Sequence, residues 1–200
     1  MTCDENNRLS GPDFSEALFS LIRRTACDLP EDVEQALKRA CDHEAPNSTA
    51  QKVLSLFLEN VGLARKKQIP LCQDTGIPVV YLTLPPDLPL TQSLYNAVAE
   101  GVRRATREVP LRPNVVDPLT RYNCGDNTGA LMPAVHVRPG KTFTVTVLPK
   151  GAGAENMSRV AMLLPSQKEE IAKFVVETVY LAGSRPCPPL IIGVGIGGTF

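Results

Sequence analysis

The run Leu71-Cys72-Gln73-Asp74-Thr75-Gly76 sets a thiol, an amide, a carboxylate and a hydroxyl side by side and closes them with a glycine. Pro70 precedes it and Pro78 follows, so the segment reads as a rigid turn, not a helix interior. Polar groups fixed on a turn suit a site; the plainer alternative is a buried free cysteine beside an Asp-Thr-Gly turn. Three more segments are dense in polar residues and in Gly or Pro, as loops that carry sites on a rigid scaffold usually are. Residues 111–127 hold Arg112, Asn114, Asp117, Thr120 and Arg121, then Asn123-Cys-Gly-Asp126-Asn127. Two guanidiniums there could clamp carboxylates bidentately, or could pair on the surface with Asp117 and Asp126. In Pro149-Lys150-Gly151-Ala-Gly153-Ala-Glu155-Asn156 the lysine and the glycine amides could form an anion-binding nest, or the run could be a turn leading into a helix. In Pro186-Cys187-Pro188-Pro189 a proline directly follows a cysteine, a feature found beside iron–sulfur ligands.

Two motifs carry less. Gly193, Gly195 and Gly198 match GxGxxG, but no helix, second strand or acidic residue follows about 20 positions on, so the dinucleotide fingerprint fails on context. A nucleotide-binding protein using this glycine-rich end is the third reading of the chain. His136 lies in a strand-like run and reads as a packed residue, not a ligand.

The elements that position these segments follow from periodicity. Phe14, Leu18, Leu21 and Ile22 fall on one helical face; Pro30 with Glu31 and Asp32 starts a second helix; Asn47 or Ser48 caps a third bearing Val53, Leu54, Phe57, Leu58 and Val61. Ile77 to Leu84 reads as a strand ended by Pro85-Pro86. Thr91 caps a helix with Leu94, Ala97, Val98, Val102 and Ala105 inward. Strands are expected at 133–137, 142–147 and 189–194, and a helix at 167–182 with Ile171, Phe174, Val175 and Val179 inward. The fold class is therefore mixed α/β: an N-terminal helical scaffold, then strands and helices in one domain spanning residues 1–200.

Composition bounds the class. The chain has 200 residues, 43% hydrophobic and 21% charged, which fits a folded globular domain. Its formal net charge is zero, against a general nucleic-acid binder. No apolar run approaches the roughly 20 residues of a membrane span, and Met1 to Ser10 lacks the basic and apolar regions of a signal peptide, so a cytoplasmic location is expected. The six cysteines show no CxxC pair, which argues against a zinc ribbon or a disulfide framework. Cys3 reads as a tail residue, and Cys27 and Cys41 as packing residues within helices.

Taken together, PLCQDTGIPVVYL, RPNVVDPLTRYNCGDNTGA, PKGAGAEN and GSRPCPPLIIGVGIGGTF resemble, in family order and over roughly residues 50 to 200, the class I iron–sulfur-dependent fumarases and the L(+)-tartrate dehydratase α subunits. The resemblance implies a hydro-lyase that adds or removes water on a small dicarboxylic acid, with a [4Fe–4S] cluster held by three cysteines and one iron left open as Lewis acid. By resemblance Cys72 and Cys187 are cluster ligands; Gln73, Asp74 and Arg112 contact substrate; Lys150, Gly151 and Gly153 belong to a loop near it; and Asp74 takes part in hydroxyl or proton handling. Ala154 stands where the family often has serine. The family's third cluster cysteine lies well beyond the position matching Cys187, and its catalytic base belongs to a β subunit or C-terminal portion, so the chain is expected to be an incomplete α portion, inactive alone and working in a homo- or hetero-oligomer. The alternative is a non-catalytic fragment or split subunit that keeps the fold. Two geometric expectations follow: Cys72 and Cys187 approach each other, and Arg112 faces the same cavity as Asp74.

Overall fold

The computed structural model describes residues 11–187 and 189–197; Cys3, Pro188 and Gly198 lie outside them. The elements run in the order α1 (Gly11–Cys27), α2 (Glu31–His43), α3 (Thr49–Lys67), β1 (Ile77–Leu84), α4 (Gln92–Glu108), β2 (Ala134–Pro139), β3 (Thr144–Lys150), α5 (Ala152–Asn156) and α6 (Glu170–Ala182). The fold is mixed α/β with a helical N-terminal third.

The helices α3 and α4 begin where a side chain satisfies a free first-turn amide. Ser48, and not Asn47, caps α3 by accepting from the Gln51 amide, and Thr91 caps α4 by accepting from the Leu94 amide. Pro30 sits at the N-cap of α2 with Glu31, Asp32 and Glu34 in the first turn, where negative charge complements the dipole.

The sheet has the order β2-β1-β3, with β1 parallel to β2 and antiparallel to β3. β1 alternates as a half-buried strand must: Pro78, Val80, Leu82 and Leu84 point into the core. Pro78 is tolerated in this central strand because it lies opposite Pro149 and ahead of the β2 pairing, which begins at Val79–Ala134. The inner face of the sheet packs on α1 and α4 through Phe14, Leu18, Ile22, Val98, Val102 and Val147. Gly101 lets α4 close on α1, since a Cβ there would lie 3.0 Å from Leu18 Cδ2. The outer sheet face is open, and His136 stacks on Tyr81 there with ring centroids 4.9 Å apart. Its packing is thus a ring stack on an exposed surface, not burial in a core.

Three expectations are corrected. Residues 189–197 form no strand: among the described residues the run pairs with nothing, and Ile191, Ile192, Val194 and Ile196 are exposed. An apolar run becomes a strand only when it docks on a sheet edge, and among the described residues this run docks on neither β2 nor β3, whose outer edges stay open. The last helix begins at Glu170 after a 3-10 turn at Pro165–Gln167, and of its face only Ala182 is buried; Ile171, Phe174, Val175 and Val179 are half-buried. The third strand runs to Lys150, beyond Val147, because β3 pairs with β1 as far as Lys150–Ile77. That extension sets the 149–153 segment directly against the turn that precedes β1. No helix among the described residues is long and apolar enough to cross a membrane.

Candidate active site

The helical scaffold fixes where the Cys72 turn starts. The Leu71 amide donates to the Ala26 carbonyl at 2.9 Å, at the end of α1, and Asn60 Nδ2 of α3 donates to the Leu71 carbonyl at 2.9 Å. The turn then runs into β1 through Gly76, whose φ of +74° is a conformation glycine adopts without strain. A Cβ on Gly76 would lie 2.8 Å from the Pro149 carbonyl carbon and 2.9 Å from Lys150 backbone atoms. Only glycine permits β3 and its following loop to come this close.

Asp74 is the hub. Its Oδ1 accepts from the Gly76 amide at 3.2 Å and from Asn114 Nδ2 at 3.1 Å, and its Oδ2 accepts from the Ala152 amide at 2.8 Å. Three segments far apart in sequence thus meet on one carboxylate. The Ala152 amide is a free first-turn donor of α5, so the anion it receives is the chain's own Asp74. The glycine-rich segment is therefore a turn leading into a short helix, with at least this amide already satisfied from within. Lys150 is half-buried, with Nζ 3.4 Å from Glu155 Oε2.

The Cys187 segment joins the same place. A Cβ on Gly153 would lie 2.5 Å from the Arg185 carbonyl oxygen, so a glycine is needed for 185–187 to lie against α5. Cys72 and Cys187 are both exposed residues, and their thiols are neighbours. Loss of solvent pushes the Cys187 thiol up first; the charge of Cys72, a hydrogen bond with Cys72 and the charge of Asp74 add to it in that order. Asp74 lies within electrostatic range of the two thiols. Among the described residues no group of three or more His, Cys, Asp or Glu stands close enough to hold a metal ion.

Arg112 is exposed, and its backbone amide donates to Thr75 Oγ1 at 3.0 Å, which places it beside the Asp74 turn. Its guanidinium meets no hydrogen-bonding partner in the described chain, and neither does that of Arg121. The surface pairing considered for these arginines is not made: Asp117 instead accepts from the Leu119 and Thr120 amides and from the Thr120 hydroxyl, and Asp126 pairs with Arg103 at 3.1 Å. Gln73 is exposed on the same turn.

The sequence reading assigned no role to the polar residues that weld these loops. Asn127 is fully buried, with Oδ1 accepting from the Asn114 amide at 2.7 Å and the Val115 amide at 3.2 Å. Its Nδ2 donates to the Arg112 carbonyl at 3.0 Å and to Thr106 Oγ1 at 3.1 Å. Neighbouring Asp126 has its carboxyl held down to about 2: burial opposes this, but hydrogen bonds from Cys124 and Thr128 and the Arg103 guanidinium outweigh it. The available signal was the run of short polar side chains at 123–128, whose types suit left-handed turn backbone; Asn127 has φ +59°.

Comparison with known proteins adds the decisive observation: the fumarate hydratase (Fumerase) family model matches residues 15–200. The chain belongs to the fumarate hydratase family. It is 42% identical over 193 residues to a Methanocaldococcus jannaschii protein provisionally named L(+)-tartrate dehydratase subunit alpha, covering 93% of this chain and 67% of that protein. It is 33% identical to a Geobacillus stearothermophilus protein provisionally named fumarate hydratase class I, covering 92% of this chain but 38% of the relative. With L(+)-tartrate dehydratase subunit alpha of Escherichia coli K12 the identity is 28%, over 98% of this chain and 66% of the relative. The chain thus spans about two thirds of these α subunits and well under half of the fumarase.

Proposed function

We propose that this chain supplies the cluster-binding half of a hydro-lyase active site that adds or removes water on a small dicarboxylic acid of the fumarate or tartrate type. The observation that carries the reading is the pairing of the Cys72 and Cys187 thiols from two separated segments, both braced against the 150–153 loop. We read residues 1–200 as one such α-type domain.

The donor set fits a [4Fe–4S] cluster as two of its ligands. Cys72 and Cys187 offer adjacent soft thiols on Pro-flanked turns, at the protein surface where a cluster with an open iron needs access. When bound, the cluster supplies a Lewis-acidic iron to the substrate hydroxyl. Arg112, whose guanidinium has no partner among the described residues, grips a substrate carboxylate through two parallel N–H donors. Gln73 beside it donates to the same molecule. Asp74 is oriented by three N–H donors and directs its remaining acceptor position at the substrate hydroxyl or its proton. Lys150 adds positive charge at the rim, and Gly151 and Gly153 let their loop lie against Asp74 and the 185–187 segment beside the substrate.

The remaining cluster ligand and acid–base groups come from a β subunit or C-terminal portion, so the working enzyme is an oligomer or a longer assembly. The relatives named as alpha subunits support this. Free cysteines at 27, 41, 72, 124 and 187 support a reducing, cytoplasmic compartment.

The test is anaerobic reconstitution with iron and sulfide, in the presence of the partner, followed by assays on fumarate and on L(+)-tartrate. Visible cluster absorption together with oxygen-sensitive turnover of either substrate supports the reading. A folded, colourless and inactive protein points to a non-catalytic subunit that retains the fold.

A further inference from the structure

We propose that Asn114 is a positioning residue: it fixes the rotation of the Asp74 carboxylate so that Oδ2 is the oxygen left with an open acceptor position. The inference rests on the reading of Asp74 as a substrate-contacting group. A carboxylate oxygen offers about two acceptor positions. Both positions on Oδ1 are filled, by the Gly76 amide and by Asn114 Nδ2. Among the described residues Oδ2 accepts only from the Ala152 amide. A half-turn of the Asp74 carboxylate about its last torsion would only exchange two equivalent oxygens, but a partial turn within that broad torsion would misalign both of them.

Asn114 cannot follow such a turn. The second hydrogen of its Nδ2 is given to the Gly76 carbonyl at 3.1 Å, so the amide bridges the side chain and the backbone of one turn. Both neighbours are acceptors, so chemistry alone dictates that the donor end of the amide faces them. The backbone of Asn114 is held in turn by Asn127 Oδ1, and the Arg112 carbonyl by Asn127 Nδ2. A fully buried amide with every hydrogen-bonding position used is a rigid base. The chain of contacts runs from α4 through Thr106 and Asn127 to Asn114 and then to Asp74. It also sets where Arg112 leaves the backbone. One network therefore positions the proton-handling group and the carboxylate clamp together.

The test uses the assembled, cluster-loaded enzyme with fumarate and L(+)-tartrate as substrates. Asn114→Ala removes the donor. Asn114→Leu keeps the branched shape and the backbone bonds to Asn127 but has no donor. In both variants kcat is expected to fall roughly 10- to 100-fold, the scale of a misplaced reacting group. KM should stay within about twofold, since substrate grip is left to Arg112. The visible cluster spectrum should be unchanged, and a crystal structure should show the Asp74 carboxylate rotated away from position 114. A merely structural asparagine would instead lower folded enzyme and cluster content together. Asp74→Asn is the reference. If it is inactive while Asn114→Leu keeps wild-type kcat, the positioning role is overturned and the reading of Asp74 stands. If Asp74→Asn is fully active, the reading of Asp74 falls and the positioning role with it. Loss of fold or cluster in both Asn114 variants, seen by circular dichroism and absorption, also overturns the positioning role.

Discussion

Replacing Asp126 with Asn should unweld the loop beneath the candidate site, and pH should reveal it. Asp126 sits at the corner where Arg103, Cys124 and Thr128 converge, and its side chain is only 13% exposed. Its carboxyl is held down to about 2 against an ordinary value of 3.8. At about 1.4 kcal/mol for each tenfold change in proton affinity, that difference is worth about 2.5 kcal/mol of stability near neutral pH. The sign follows from the depressed value. The contribution is complete above the unfolded value, so from about pH 5 upward, and is lost as pH falls through the folded value near 2. By the same linkage it should shrink to about 1.3 kcal/mol at about pH 3. The assay is urea unfolding of wild type and Asp126→Asn at about pH 7 and about pH 3. The variant should be about 2 to 2.5 kcal/mol less stable at the higher pH and lose roughly half of that deficit at the lower. A deficit that is constant with pH, or that grows on acidification, would refute the reasoning, because the stabilisation would not reside in the charge.

Two other outcomes follow from the geometry. Gly153→Ala places a methyl 2.5 Å from the Arg185 carbonyl oxygen, so the 185–187 segment must move away from α5; a cost of about 1–3 kcal/mol and a less stable reconstituted cluster are expected, and unaltered urea midpoint and cluster lifetime would contradict the packing. Arg112→Lys keeps the charge but loses the planar fork, so in the assembled enzyme kcat/KM should drop by roughly tenfold or more, and unchanged kinetics would make Arg112 a surface residue.

The fold was most legible where local signals agreed. Ile77 to Leu84 combines period-two alternation with Gly76 before it and Pro85-Pro86 after it, and β1 has those bounds. Thr91 with the spacing of Ala97, Val98, Val102 and Ala105 specified α4 and its buried face. At 189–194 the apolar β-branched residues suit a strand, whereas strand formation depends on docking to a partner strand, which the sequence does not display. In the candidate site, the chemistry-bearing residues announced themselves by type. Asn114 and Asn127 did not, because an asparagine on a loop reads equally as a solvated turn. Only the fold shows one of them buried to 0% exposure and the other gripping Asp74. The close approaches at Gly76 and Gly153 were equally hidden, since both partners lie in distant segments.

The central claim is that Cys72 and Cys187 hold one cluster beside Asp74. The most direct measurement is iron and sulfide content with visible absorption after anaerobic reconstitution of wild type, Cys72→Ala, Cys187→Ala and Cys124→Ala. Cys124 is the control: it is exposed too, but its thiol is bonded to Asp126 and Thr128 within its own loop. The account predicts that each of the first two replacements removes the cluster signal and that Cys124→Ala leaves it intact. A cluster that survives in Cys72→Ala or Cys187→Ala, or one that depends on Cys124 instead, would contradict it.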